Sequence, residues 1–194
     1  MTMKNIKAII NWILLFGILI SGPLYIFLSK NNSFIPSVYL PTIIISVLCL
    51  WIIKKKKLDL KYGIYAHLGL WLNLLGEYYF YYHWVYYDKV LHFFVPLIFT
   101  LFLYDYIKVK LNPFQKKFFI LLCVLGIGAL FEIFEYFQSG IFNFPSVGVY
   151  LDTELVMPPY KDTIWDLIYN SLGSLFYLFF KDNVVLKKYL FHKI

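Results

Sequence analysis

The chain has 194 residues, of which 61% are hydrophobic, 22% are aromatic and only 15% are charged. Soluble domains average about 45 to 50% apolar and about 25% charged residues, so this composition predicts an integral membrane protein. The formal net charge is +7, but the basic residues are all lysine. Lysine lacks the planar guanidinium group that clamps phosphate and reads guanine, so no nucleic-acid partner is expected.

Six apolar windows are long enough, with their polar flanks, to cross a bilayer as helices. A hydrocarbon core about 30 Å thick needs about 20 helical residues. The first window follows Lys4 and Lys7 and is longer than the core of a signal peptide, so we interpret it as a retained span. We predict an all-α polytopic bundle that forms one membrane domain over residues 1–194, with spans at about 8–28, 38–53, 62–80, 90–107, 118–137 and 163–180.

The distribution of lysines predicts the orientation of these spans. All 18 lysines except Lys30, Lys89 and Lys161 fall on the same side of the alternating crossings. Because basic residues are enriched in cytoplasmic loops, we place both termini in the cytoplasm of a multi-pass plasma-membrane protein. Residues 139–162, which are rich in glycine and proline, then form an outer loop or a shallow re-entrant lid.

An aromatic run at residues 78–87 contains six tyrosines and lies where spans three and four meet on the outer side. Tyrosine and tryptophan favour the headgroup region, because their rings are apolar while one edge forms hydrogen bonds. We interpret the run as an interfacial belt, and a surface on which a ligand stacks is the alternative.

Polar side chains interrupt three of the apolar windows at the spacing of one helical turn. Residues three or four apart share one face of a helix, so each set forms a polar stripe. A charged group near the bilayer centre costs about 2.5 to 3.5 kcal/mol, so such residues are functional candidates. The stripes are Asp88 and His92 in span four, Glu132 and Glu135 in span five, and Asp162, Asp166 and Asn170 at span six.

Two glycines predict how these spans pack. Gly128 continues the glutamate stripe, and Gly173 continues the stripe that contains Asp166 and Asn170. Small residues let membrane helices approach one another closely. We therefore predict that spans four, five and six enclose one polar pocket that opens to the outside.

The types of residue in this pocket favour acid–base chemistry. Asp88 can hold the His92 imidazole in one tautomer and increase its basicity. Glu132 and Glu135 would repel each other if both were ionised, so one of them can keep a proton and donate it. The predicted catalytic residues are therefore His92, Glu135, Glu132 and Asp88.

The remaining polar residues are candidates for binding substrate or a metal ion. We expect Asp166 and Asn170 to position a substrate, and Glu77 in span three to form a wall of the pocket. Oxygen ligands suit Mg²⁺, Ca²⁺ or Mn²⁺ better than Zn²⁺, so a divalent cofactor would be one of those three. The candidate metal ligands are Asp88, His92, Glu132, Glu135 and Asp166.

Several of these residues also have a purely structural interpretation. Asp88 and Lys89 could mark a loop and cap span four. Asp162 follows a pair of prolines, so we interpret it as the N-terminal cap of span six. In span three, Asn73 is expected to form an interhelical hydrogen bond and His67 to be a packing residue whose hydrogen bonds are satisfied.

The ordered motifs resemble those of YjdF-like integral membrane proteins and are more distantly similar to VanZ-like proteins. The resemblance covers about residues 62–180 and implies a polytopic membrane protein with these positions as its polar signature. It implies no particular reaction, although the link of VanZ-like proteins to glycopeptide resistance points to the cell envelope. The motifs are Tyr87-Asp88-Lys89 with His92, then Glu132-Ile133-Phe134-Glu135, then Asp162-Thr163, Trp165-Asp166, Asn170 and Gly173.

Three functional hypotheses fit this pocket. The first is acid–base or metal-assisted chemistry on a membrane lipid or lipid-linked envelope molecule. The second is a proton- or cation-coupled transporter, or an ion-binding membrane protein, that uses the same carboxylates. The third is a structural subunit whose acidic residues pair with basic residues of a membrane-protein partner, and a homo-oligomer is also compatible with the sequence.

Overall fold

The computed structural model describes residues 3–29, 39–108, 110–142, 148–151 and 154–181. Lys30 and parts of the predicted outer loop lie outside the described residues. A π-helical turn, Gly76–Phe80, joins two of the helices, and two short strands form a sheet. The elements are α1 (Met3–Ser29), α2 (Leu40–Lys55), α3 (Lys61–Leu75), α4 (Tyr81–His83), α5 (Tyr87–Tyr106), α6 (Pro113–Phe142), β1 (Val149–Leu151), β2 (Glu154–Met157) and α7 (Pro159–Phe180).

Helices occupy all six predicted windows, and three of them are long and apolar enough to cross a membrane. These three are Met3–Leu24 within α1, Tyr87–Tyr106 and Pro113–Ile141. The helix α2 has 16 residues and α3 has 15, so both are shorter than a typical span. The helix α7 has 22 residues, but its polar stripe makes it less apolar. A helical membrane protein is therefore confirmed, whereas the number of six crossings stays a prediction.

Local sequence signals determine where the C-terminal helices begin. The Asn112 side chain accepts a hydrogen bond from the Gln115 backbone N–H at 2.8 Å, and the Gln115 side chain accepts one from the Asn112 N–H at 3.3 Å. This reciprocal capping box, with Pro113 at the first helical position, starts α6. Pro158 is extended and Pro159 is the first residue of α7, so the proline pair defines that boundary.

The described residues divide into two compact units, one built mainly from α1 to α4 and the other from α5 to α7. In the first unit, the buried side chains of Ile18, Tyr39 and Leu74 form the core. His67 is fully buried, and its Nδ1 lies 3.1 Å from Asn11 Oδ1, but its Nε2 has no hydrogen-bond partner among the described residues. The predicted packing position is therefore confirmed, whereas full hydrogen bonding of the ring is not.

Two other predictions for the first unit have different outcomes. Asn73 accepts a hydrogen bond from the Tyr81 hydroxyl at 2.9 Å, within the continuous helical stretch from α3 to α4. The prediction of a hydrogen bond between separate membrane helices is therefore wrong. The Asn73 side-chain oxygen instead accepts from Tyr81, which lies two turns later in the same helical stretch. The Tyr79 and His83 rings stack at 4.1 Å and are exposed, while the interfacial belt stays a prediction.

In the second unit, α5 and α7 are parallel neighbours. His92 pairs with Asn170, and further along both helices Thr100 pairs with Ser174. A Cβ atom added to Gly173 would overlap the Phe93 carbonyl oxygen, so the two backbones approach closely at this glycine. The predicted role of Gly173 in helix packing is confirmed.

The helix α6 runs antiparallel to α5 and α7. Gly128 faces the Asn170 side chain, whereas Ile120, two turns earlier on α6, packs in the apolar cluster with Leu178, two turns later on α7. Much of the opposite face of α6 is apolar and exposed, for example Leu130 and Phe137. Such a face suits contact with lipid. The three helices therefore pack with their polar stripes together, as predicted.

Substitution of Gly173 by alanine should destabilise the protein by about 1 to 3 kcal/mol, because the new methyl group meets backbone atoms that cannot move aside. Thermal unfolding of the purified protein in detergent measures this effect. The matched control is Gly126→Ala on α6, where an added Cβ has no neighbour within 4 Å. Equal melting temperatures for the two variants would contradict the close approach of α5 and α7.

Candidate functional site

The buried ammonium group of Lys89 lies at the centre of the polar cluster. Its Nζ donates hydrogen bonds to Asp88 Oδ2 at 2.9 Å, to Asp166 Oδ1 at 2.5 Å and to Asp162 Oδ1. Only 2% of the Lys89 surface and 1% of the Asp166 surface is exposed. A buried charge is stable only when it is paired and hydrogen-bonded, and three carboxylates meet that need here. Lys89 therefore joins the first turn of α5 to the first turns of α7.

Asp162 is part of this ion-pair cluster and does not cap a helix. The residue that precedes α7 is Pro158, and the N-terminus of α7 has no side-chain capping hydrogen bond. Asp162 Oδ1 accepts from Lys89, and Oδ2 accepts from the Gly148 N–H at 2.8 Å. The capping prediction is wrong because a buried lysine competes for the carboxylate more strongly than backbone N–H groups do.

The capping interpretation of Asp88 and Lys89 is also wrong. The N-terminus of α5 has no side-chain capping hydrogen bond, and Lys89 is buried and not in an outer loop. The physical reason is the same as for Asp162. Lys89 binds the carboxylate of Asp88, which therefore belongs to the ion-pair cluster and does not cap α5. Asp88 Oδ2 contacts Lys89, and this leaves Oδ1 free to face His92.

The His92 imidazole is held between the two carboxylates of α5 and α7. Its Nε2 lies 3.5 Å from Asp88 Oδ1 and 3.7 Å from Asp166 Oδ1. Its Nδ1 lies 3.2 Å from the Asn170 side-chain oxygen, which is an acceptor, so the Nδ1 proton points to Asn170. The ring is thereby oriented with Nε2 towards two acidic groups, an arrangement suited to proton transfer or to ligation of a cation.

The two glutamates of α6 border this histidine. Glu132 is buried, and its Oε1 lies 3.9 Å from His92 Nδ1. Within the part of the chain that the structure describes, this oxygen has no hydrogen-bond partner. Glu135, one turn further along α6, is half-buried. A buried carboxyl oxygen without a donor is unfavourable, so Glu132 is the member of the cluster whose hydrogen-bonding capacity is least satisfied.

A polar seam extends from the cluster along the interface of α5 and α7. On α7 the buried positions Asp162, Asp166, Asn170 and Ser174 recur every four residues, over about 18 Å of helix. On α5 the Thr100 hydroxyl donates to Ser174 Oγ at 2.9 Å, and this pair is the innermost of the seam among the described residues. One turn beyond Ser174, Leu178 packs with Ile120 and Val124. The seam thus ends on an apolar layer.

The structure brings most of the predicted site residues together. Asp88, His92, Glu132, Asp166 and Asn170 meet in the second unit. Glu77 lies in the π-helical turn of the first unit, so its role as a pocket wall stays a prediction. Of the predicted metal ligands, donor atoms of Asp88, His92 and Asp166 lie within 4.8 Å of one another, and the two glutamates are not part of that group.

Sequence reasoning missed three residues, Lys89, Thr100 and Ser174. The sequence pattern assigns Lys89 to a loop because lysines usually mark the end of a span. The available signal is that Lys89 is a single lysine near acidic residues of three polar stripes, and a lone lysine among buried carboxylates pairs with them. Thr100 and Ser174 carry no charge, and hydroxyl groups in apolar helices give no comparable signal.

The fold and the cluster define a class of helical membrane protein with a buried lysine, carboxylate and histidine network. The chain belongs to the family described as "Predicted membrane protein (DUF2238)", whose model matches residues 10–185. This agrees with the resemblance to YjdF-like proteins, whereas the more distant likeness to VanZ-like proteins stays a prediction. No curated protein and no solved structure matches the chain.

Proposed function

We propose that the protein is an outward-facing membrane enzyme that acts on a lipid or lipid-linked envelope molecule by acid–base or metal-assisted chemistry. The observation that carries the proposal is the orientation of His92, whose Nδ1 faces Asn170 while Nε2 faces Asp88 and Asp166. A general acid–base group must be fixed in one tautomer and remain within reach of substrate. The Asp88 side chain is 23% exposed, so it is the edge of the cluster that a headgroup can approach.

In this proposal the residues have distinct roles. For acid–base chemistry, His92 transfers the proton at Nε2, and Asp88 and Glu132 support the charge that develops on the ring; for metal-assisted chemistry, Nε2 instead holds the ion. Glu135 supplies or receives a second proton, and Asp166 and Asn170 position the imidazole and the substrate. Lys89 and Asp162 hold the helices together and keep the carboxylates of Asp88 and Asp166 in place. Membrane lipid is the proposed partner.

The apolar end of the seam favours an enzyme over a transporter. A transporter must open its site to both sides of the membrane in turn, through polar or water-filled routes. Here Ile120, Val124 and Leu178 close the seam beyond Ser174. The depth of the seam supports coupled transport as the second candidate, because the hydroxyl groups of Thr100 and Ser174 continue the line of polar groups. Ion flux into proteoliposomes distinguishes the two.

The cluster supplies its own basic residue, so a structural subunit is a weaker proposal. That hypothesis assumed that the carboxylates wait for the basic helix of a partner. Lys89 already pairs with Asp88, Asp162 and Asp166 inside one chain. A partner protein or a homo-oligomer is therefore not needed to explain the buried acidic groups.

We further propose six crossings of the plasma membrane with both termini in the cytoplasm. The alternating directions of α5, α6 and α7 support this topology, as do the lysines that flank the other ends of these helices. In this orientation the cluster at the first turns of α5 and α7 faces outwards.

Cysteine labelling should confirm the orientation. In a chain whose native cysteines are replaced by Cys49→Ser and Cys123→Ser, the exposed Tyr160→Cys should react with a membrane-impermeant maleimide in intact cells. Lys110→Cys, in the exposed turn between α5 and α6, should react only after permeabilisation. The opposite labelling pattern would contradict the proposed topology.

Substitution His92→Gln should abolish the enzymatic function, because glutamine cannot exchange a proton at neutral pH. General acid–base groups contribute about 10² to 10⁴-fold to rate, so the expected loss is of that size. The measurement compares the lipids and lipid-linked species of cells that express the wild-type protein or the variant. His83→Gln, an exposed histidine stacked on Tyr79, is the matched control. The proposal would be contradicted if a folded His92→Gln protein produced the same change in cellular lipids as the wild-type protein.

A further inference from the structure

We infer that Asp88 Oδ1, His92 Nε2 and an oxygen of Asp166 form a binding site for one divalent cation, with Mn²⁺ as the ion that suits the ligands best. This inference rests on the proposed function and selects its metal-assisted form, in which the His92 Nε2 lone pair is a metal ligand and does not itself transfer a proton. It goes beyond a general expectation of a metal, because it selects three ligands and assigns different roles to Lys89, Asn170 and Glu132.

The geometry of the three donor groups carries the first step. The His92 Nε2 atom lies 3.5 Å from Asp88 Oδ1 and 3.7 Å from Asp166 Oδ1. Manganese prefers octahedral coordination, in which neighbouring ligand atoms about 2.2 Å from the ion are separated by about 3.1 Å. The two observed separations are somewhat longer, and the three donor atoms all lie within 4.8 Å of one another, so small side-chain rotations would bring them into coordination.

The surroundings of the donor atoms carry the second step. Metal-binding histidines usually donate their other ring N–H to an oxygen that fixes the ring. His92 Nδ1 faces Asn170 Oδ1 in this way and leaves the Nε2 lone pair for an ion. Lys89 contacts Asp88 through Oδ2, so Oδ1 of the same carboxylate stays available. Lys89 also donates to Asp166 Oδ1 at 2.5 Å, so the ammonium group positions both carboxylates, and Asp166 shares its ligand oxygen with the lysine.

Charge and an unpartnered oxygen carry the third step. Asp88, Asp162 and Asp166 bring three negative charges, and Lys89 balances one of them. The carboxylates of the cluster outnumber its one lysine, and such an acidic set of side chains can accept a divalent cation. Independently, Glu132 is 7% exposed, and its Oε1 has no hydrogen-bond partner among the described residues while it lies 3.9 Å from His92 Nδ1, the ring nitrogen that does not face the proposed ion. This oxygen can accept a proton from a water or substrate that enters beside the imidazole.

The ligand set also selects the ion. Two carboxylates and one imidazole leave coordination positions for water or substrate, as in catalytic metal sites. An oxygen-rich set with a single nitrogen suits Mn²⁺. Asp88 is the most exposed of the three ligands, at 23% for its side chain, and it provides the side from which water and substrate reach the ion.

Electron-spin-echo spectroscopy of Mn²⁺ on the purified full-length protein tests the inference. After extraction with EDTA and reloading, the wild-type protein should bind about one Mn²⁺ per chain and show the ¹⁴N coupling of a coordinated imidazole. His92→Gln should remove the ¹⁴N coupling, and Asp166→Asn should weaken Mn²⁺ binding about tenfold or more. Asp105→Asn, an exposed carboxylate at the far end of α5, is the control and should bind as the wild type does.

A wild-type protein that binds no Mn²⁺, or that binds it without ¹⁴N coupling, overturns the inference whether or not the variants fold. Retention of the ¹⁴N coupling in a folded His92→Gln protein overturns it as well. The binding measurement needs no substrate, so absence of Mn²⁺ binding contradicts only the metal site. An unchanged lipid composition in cells that express a folded His92→Gln protein contradicts the proposed enzymatic function.

Discussion

The second unit depends on one interaction, the burial of the Lys89 ammonium group between α5 and α7. Taking an ammonium ion and a carboxylate out of water costs several kcal/mol each, and only close pairing with further hydrogen bonds offsets that cost. Lys89 therefore requires Asp162 and Asp166, and these in turn require Lys89. The mutual requirement aligns the two helices along their length. The same alignment is sterically possible because Gly173 has no side chain at the point where α5 and α7 approach most closely.

The alignment places the chemically useful groups beside the ion pairs. With α5 and α7 in this register, His92 lies between carboxylates of both helices and opposite Asn170, and α6 brings Glu132 to the same ring. The seam then continues through hydroxyl groups to an apolar layer. A site that is polar at one end of the bundle and closed at the other suits chemistry at one membrane surface. The carboxylates of Asp88 and Asp166 thus contribute both to the stability of the second unit and to the proposed site.

The sequence predicted much of this arrangement because membrane helices leave few choices. Apolar length identified the helices, spacing by four identified the stripe from Asp162 to Asn170, and Gly128 and Gly173 identified the packing faces. The roles of Asp162 and Lys89 were not predictable from local signals, since each is determined by a partner more than 70 residues away. The strands β1 and β2 were missed because short strands in a glycine- and proline-rich segment have no apolar periodicity to reveal them.

A double-mutant cycle between Lys89→Met and Asp166→Asn, measured as free energies of unfolding in detergent with EDTA, tests the central interaction most directly. Without the lysine, the buried Asp166 carboxylate loses its closest cationic partner, so its neutralisation should be more favourable in the Lys89→Met background than in the wild type. The expected coupling energy between the two substitutions is about 1 to 3 kcal/mol, with the double variant more stable than the sum of the single effects predicts. Single-variant effects on the free energy of unfolding that add to within about 0.5 kcal/mol would contradict the central role of this ion pair.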